Sequence, residues 1–180
     1  MVTIRSATAA DADAVLAIYA PIVELTPISF ELEVPTVEEM ATRISETVLS
    51  FPWLVAETPK GIAGYAYARP FRPRAAYRWS VETSVYVAES ARGAGIARRL
   101  YDALLDGLRE QGFVTAFAGI TLPNPASVRL HEGVGFVQIG IFPSAGYKLG
   151  RWHDVGWWHL RLREPAPDPD EPRPQPPQTR

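Results

Sequence analysis

Residues 84–113, SVYVAESARGAGIARRLYDALLDGLREQGF, constrain the fold more than any other stretch of this chain. Val85 and Val87 alternate with Ser84 and Tyr86, as in a strand with two chemically different faces. A loop of small residues follows, and then Ile96, Leu100, Leu104 and Leu108 recur every four positions as one apolar helical stripe. A strand end and a helix N-terminus must therefore lie side by side. Gly93, Ala94, Gly95 and Ala97 leave the backbone N–H groups of the loop open to approach, and Arg92, Arg98 and Arg99 add cationic donors. Free amides at the positive end of a helix dipole attract anions, so the loop predicts an anionic ligand. Small-residue loops are also ordinary tight turns, and the surrounding pattern has to decide between the two.

Two phosphate-loop types do not fit that pattern. No Lys-Ser or Lys-Thr follows the glycines, and the loop lies mid-chain without an acidic ribose-binding residue in a following βαβ unit. The rest of the chain alternates strands and helices. Val2 to Ala7 reads as a strand, Thr8 with Asp11 opens a helix, and Thr36 with Glu39 opens a second one reaching about Leu49. SFELEV (29–34) between them is loop with a brief extension, and 53–57 with 61–70 forms a hairpin. VTAFAGITL continues as a strand after Gly112, and Asn124 and Pro125 are N-cap and first residue of a short helix that ends at Gly133 and Gly135. VQIGIF and VGWWHLRLR read as two strands, with SAGYKLGRWHD as the loop between them. The sum is an α/β (α+β) mixed sheet in one domain, 1–163, followed by an extended, disordered Pro-rich tail, 164–180.

Composition narrows the function. At 180 residues, 47% apolar and 21% charged, the chain supports one substantial core. A net charge of -2 supplies no general field for a polyanion, so nucleic acid is not an expected partner. The absence of cysteine excludes disulfides, thiolate metal sites and a cysteine nucleophile. His153 and His159 lack carboxylate or thiolate partners at ligand spacing, so no metal is expected, and Trp152, Trp157 and Trp158 read as core or interface packing. No stretch approaches the roughly 20 apolar residues of a membrane span, and the first residues do not resemble a signal peptide. A cytoplasmic protein without membrane contact is expected.

Arg92-x-x-Gly95-x-Ala97 after SVYV, taken with SVETSVYV, LPNPASVRLHEGVGF and AGYKLGRWHDVG, resembles the GCN5-related N-acetyltransferases over about Val2 to Arg163, in their phosphinothricin and methionine sulfoximine branch. The resemblance implies a mostly antiparallel central sheet flanked by helices, and acetyl-CoA as co-substrate. It implies that Val85, Tyr86 and Val87 line the pantetheine arm. Arg92, Gly93, Ala94, Gly95, Ile96, Ala97 and Arg98 would hold the pyrophosphate, and Asn124 would contact the cofactor near its reactive end. Glu82, on the strand face opposite Val81, Thr83, Val85 and Val87, resembles the family's general base. His131, about two helical turns after Asn124, resembles its second catalytic candidate, where many other members carry a tyrosine that protonates the thiolate. Arg72 and Arg74 would hold the acceptor carboxylate, with Phe30 against its side chain and Glu31 near its amine. The implied acceptor is the α-amine of a small amino-acid analogue such as phosphinothricin, methionine sulfoximine or methionine sulfone, acetylated by direct attack. A homodimer is also implied, with AGYKLGRWHD near the shared surface and Tyr147 and Lys148 approaching the neighbour's acceptor pocket. Two alternatives stay open: acetylation of a protein N-terminus or another small amine, and a non-catalytic acyl-CoA sensor that needs neither Glu82 nor His131.

Overall fold

The computed structural model describes residues 2–174. In chain order its strands and helices are β1 (Thr3–Ser6), α1 (Ala12–Leu25), α2 (Val37–Thr47), β2 (Trp53–Thr58), β3 (Gly61–Pro70), β4 (Ser80–Val87), α3 (Ile96–Gln111), β5 (Thr115–Thr121), α4 (Pro125–Gly133), β6 (Val137–Lys148) and β7 (Arg151–Arg161). The strands form one sheet in the order β1-β2-β3-β4-β5-β7-β6, parallel at β4/β5 and antiparallel elsewhere. This is the expected mixed sheet.

β2 and β3 are apolar on both faces because both faces are covered. Trp53, Val55 and Tyr65 pack with α1 and α2, while Leu54, Ala56, Ala66 and Ala68 pack on the other side with Leu100, Leu104 and Leu108 of α3. Helix starts follow their local signals. Glu39 N–H donates to Thr36 Oγ1 at 3.1 Å and Thr36 N–H to Glu39 Oε2 at 2.8 Å, which meets two otherwise free donors at the start of α2. Thr8 N–H donates to Asp11 at 2.8 Å, and Arg5 grips the same carboxylate at 2.7 Å and 2.8 Å, holding it below the usual aspartate range. α3 stops at Gly112, whose φ of 97° suits glycine.

Four readings change. SAGYKLGRWHD is strand, not loop: Lys148 pairs with Arg151 across a two-residue turn in which Leu149 and Gly150 have φ of 51° and 76°. SFELEV forms bends, and α2 ends at Thr47, short of Leu49. The stretch from 164 to 174 has no helix or strand, but it is attached: Trp79 Nε1 donates to Asp170 O, Arg78 pairs with Glu171, and Arg173 N–H donates to Gln111 O. Residues 175–180 of the expected tail lie outside the described residues.

The junction that positions the site is β4/β5. Its register runs only from Ser80↔Thr115 to Glu82↔Phe117, yet β4 continues to Val87 and β5 to Thr121. The two strands diverge beyond Glu82, and a wedge opens in the middle of the sheet.

Candidate active site

The small-residue loop lies at the wide end of the wedge. Gly93 and Gly95 have φ of 79° and 74°, and Gly95 caps α3 without a side-chain hydrogen bond to the first turn. A Cβ on either glycine would meet nothing within 4 Å, so open space stands in front of the main chain. First-turn amides without a capping side chain are free donors for a ligand. A cavity of about 390 Å³ collects Val85, Tyr86, Val87, Arg92, Gly93 and Gly95, and is closed by Ile96, Ala97, Arg98 and Asn124. Ala94 belongs to the same loop but does not line it. The Arg92 side chain has no partner among the described residues and is available to an anion. Arg98 is not: its guanidinium is held by Asp102 at 2.9 Å and by Gly133 O at 2.8 Å, which leaves its main-chain N–H for the ligand. Asn124 caps α4, its Oδ1 accepting from Ser127 N–H at 3.1 Å, and faces the cavity as well.

A second, smaller cavity of about 50 Å³ adjoins it, lined by Thr83, Tyr101, Thr121 and His131, and both share Val85, Tyr86, Asn124 and Ser127. His131 is buried. Its Nδ1 lies 2.7 Å from the Ser127 carbonyl, which only accepts, so Nδ1 carries the proton and Nε2 receives the Tyr101 hydroxyl at 2.8 Å. Thr83 Oγ1 is 3.3 Å from both Tyr101 OH and Phe117 O. Burial lowers the His131 pKa from 6.5, keeping the ring neutral, and pushes the Tyr101 hydroxyl up.

Glu82 lies on the opposite face of β4 and lines neither of these cavities. Its partly buried carboxylate accepts from Arg69 Nη2 at 2.8 Å, a pairing set by the Arg69↔Glu82 register. Arg69 lines a separate cavity of about 250 Å³ with Tyr19, Glu31, Arg43, Trp53 and Tyr67. Glu31 is engaged there, by Arg43 at 2.8 Å and Tyr19 OH at 3.0 Å. Phe30 stands apart, tilted on His153 at 6.2 Å and pressed against Gly146. Arg72 lies 4.2 Å over Phe71, which stacks at 4.1 Å on Phe117, the register partner of Glu82. Aromatic rings therefore bridge the arginine loop to the base candidate. The Arg74 side chain makes no bond among the described residues and shares a cavity with Arg72. Lys148 departs from expectation. It is buried within its own chain, donating to Ser29 O at 2.7 Å, and so does not reach toward a neighbour, whereas Tyr147 is exposed beside Trp152.

Residues 4–157 match the model of the acetyltransferase (GNAT) domain. The chain belongs to the GNAT acetyltransferase family. It is an N-acetyltransferase, and enzymes of this family draw the acetyl group from acetyl-CoA. The chain is 43% identical to a phosphinothricin N-acetyltransferase of Streptomyces viridochromogenes over 178 residues, 99% of this chain and 95% of the relative. It is 36% identical to an L-methionine sulfoximine/L-methionine sulfone acetyltransferase of Salmonella typhimurium, over 92% of this chain and 98% of the relative. A GNAT superfamily phosphinothricin acetyltransferase from Sinorhizobium meliloti, solved in complex with AcCoA, superposes with a TM-score of 0.87 at 35% identity, covering 93% of this chain and 95% of that one.

In this acetyltransferase no helix among the described residues is long and apolar enough to cross a membrane, and no group of three or more His, Cys, Asp or Glu among them is placed to hold a metal. Sequence reasoning missed Tyr101 and Arg69, which meet His131 and Glu82. Leu104, Leu105 and Leu108 stand three, four and seven positions after Tyr101, the helical spacing that places it on the buried face. The neutral His131 sets a pH dependence. Below 6.5 the unfolded chain protonates this imidazole while the folded chain resists, so stability is complete above that pH and is lost as pH falls toward the lower folded value. The unfolding free energy from denaturant titrations should therefore fall more steeply for the native protein than for His131→Gln between about pH 7 and about pH 5, by at most about 1.4 kcal/mol per pH unit. Parallel curves would remove the buried neutral ring from the explanation.

Proposed function

We propose that this enzyme acetylates the α-amine of a small amino-acid analogue of the phosphinothricin, methionine sulfoximine or methionine sulfone kind. The carrying observation is a pair of adjoining cavities that share Val85, Tyr86, Asn124 and Ser127, one at the Arg92–Arg98 loop and a smaller one at Tyr101 and His131. Together they fit a long anionic thioester with its phosphates at the helix end. Arg92 and the amides from Gly93 to Arg98 bind the diphosphate, and the edge of β4 at Val85 and Val87 lies along the pantetheine arm. Bound there, acetyl-CoA supplies an activated acyl carbon.

The chain's own groups then manage protons. Glu82 accepts the proton of the attacking amine, directly or through water, with Arg69 fixing the carboxylate. Tyr101 keeps its proton because burial raises it; its single O–H, donated to His131 Nε2 at rest, turns to the departing sulfur as negative charge develops there. His131 orients the hydroxyl as a hydrogen-bond acceptor, since its one N–H is committed to Ser127. Arg72 and Arg74 take the acceptor carboxylate, the feature that distinguishes an amino-acid acceptor from a plain amine. Without a cysteine, direct attack by the amine is the route these residues support.

An acceptor panel assayed by release of free CoA thiol tests the reading. Turnover is expected with phosphinothricin, methionine sulfoximine and methionine sulfone, and weak or no turnover with their carboxylate-free amines. Equal turnover of carboxylate-free amines would favour the broader amine acetyltransferase. CoA binding with no transfer to any amine would favour a sensor. The reading includes a homodimer paired through β6, an edge strand that exposes Ile139, Ile141 and Phe142, and Tyr147 beside the exposed Trp152 of β7. A sedimentation mass of two chains on the same sample checks that part.

A further inference from the structure

Residues 170–173 hold two places at once: the loop carrying Arg72 and Arg74, and the C-terminal end of α3. At the loop, Trp79 Nε1 donates to Asp170 O at 2.9 Å and Arg78 Nε pairs with Glu171 at 2.8 Å. At the helix, Gln111 grips the main chain of Arg173 from both sides. Its carbonyl accepts the Arg173 N–H at 2.8 Å, and its side-chain Nε2 donates to the Arg173 carbonyl at 3.0 Å. The same Nε2 donates to Ser50 O at 2.9 Å, and Gln111 is only 3% exposed. A buried amide needs partners, and the tail supplies one of them. The tail passes Gly112 at contact distance, its Pro172 Cα 3.8 Å from where a Cβ would stand.

The sequence suits such docking. Prolines at 165, 167, 169, 172 and 174 restrict the free chain, so little conformational freedom is lost when it settles. The loop is anchored at its two ends, by Phe71 stacked on Phe117 and by Trp79 O accepting from Val114 N–H at 2.9 Å, and between them has a single 3-10 turn at Ala75–Tyr77. The Arg78–Glu171 pair is largely exposed and weak alone, so the grip comes from the main-chain bonds at Trp79 and Gln111. Between loop and tail lies a cavity of about 380 Å³, with Arg72, Arg74 and Arg78 on one side and Glu171 and Arg173 on the other.

We propose that residues 170–173 are a strap that fixes the 71–79 loop, making Trp79 and Glu171 positioning residues for the acceptor-holding Arg72 and Arg74. The proposal rests on the reading of those two arginines as carboxylate holders. With the strap docked, the guanidinium groups stand ready; without it, each acceptor has to order the loop as it binds.

Two changes test it. A chain ending at Glu164 is expected to raise the acceptor KM about tenfold, with kcat and the acetyl-CoA KM unchanged. Trypsin should also cut that chain faster after Arg74 and Arg78, a readout that needs no acceptor. In the full-length chain, Glu171→Arg should raise the same KM by about threefold, and the swapped pair Arg78→Glu with Glu171→Arg should restore it. The full-length pair decides the matter if the short chain does not fold. Equal cutting rates, an unchanged acceptor KM, or an equal rise in the acetyl-CoA KM would overturn the strap. Failure of the functional reading looks different: the intact chain then turns over no amino-acid acceptor, and the positioning role falls with it while the cutting rates still report on the loop.

Discussion

Gly95→Val is expected to weaken acetyl-CoA binding by about 10- to 100-fold, read by calorimetric titration, while leaving the fold intact. Gly95 caps α3 at φ 74°, a conformation that a β-branched residue resists. A valine would turn the cap toward extended backbone and rotate the neighbouring amides away from a shared anion. A Cβ at this position meets no protein atom within 4 Å, so the damage falls on the ligand rather than on packing. Each lost hydrogen bond to a charged group is worth about 1.5–3 kcal/mol, which sets the range. Affinity equal to that of the native protein would mean that the diphosphate is bound elsewhere.

Glu82→Gln is expected to lower kcat by about 10² to 10⁴ with acetyl-CoA affinity preserved, because the amide keeps the shape of the carboxylate but takes no proton. Loss of the Arg69 pair accompanies this change and has to be separated from it. Arg69→Met with Glu82 intact supplies the control. If it reproduces the full loss, the pair matters through geometry; if turnover largely survives, proton transfer at Glu82 carries the effect. A Glu82→Gln enzyme turning over at the native rate would remove the carboxylate from the mechanism.

Local features were legible in the sequence because their partners are near neighbours. Thr36 with Glu39, Asn124 with Pro125, and Gly112 after the apolar stripe each mark a boundary within a few residues, and the structure places all three where they were read. The cavity at the loop was legible for the same reason, since one strand, loop and helix in succession line most of it. The partners of Glu82 and His131 were not. Arg69 reaches Glu82 across an irregular loop from which no register is countable, and Tyr101 reaches His131 from a different helix. Leu149–Gly150 turns a hairpin without the Asn-Gly that usually announces one, so β6 and β7 were read too short. Lys148 misled because lysine is rarely buried, and here its ammonium is met by the Ser29 carbonyl.

The parting of β4 from β5 beyond Glu82 leaves main-chain edges of both strands unpaired at the centre of the sheet. On the proposed reading the pantetheine arm fills that place, so the acyl donor also acts as a folding ligand. Mass action then links the two: free donor at 100 times its dissociation constant adds about 2.7 kcal/mol to stability. The enzyme's resistance to unfolding would rise and fall with the supply of the molecule it consumes, whether or not an acceptor is present.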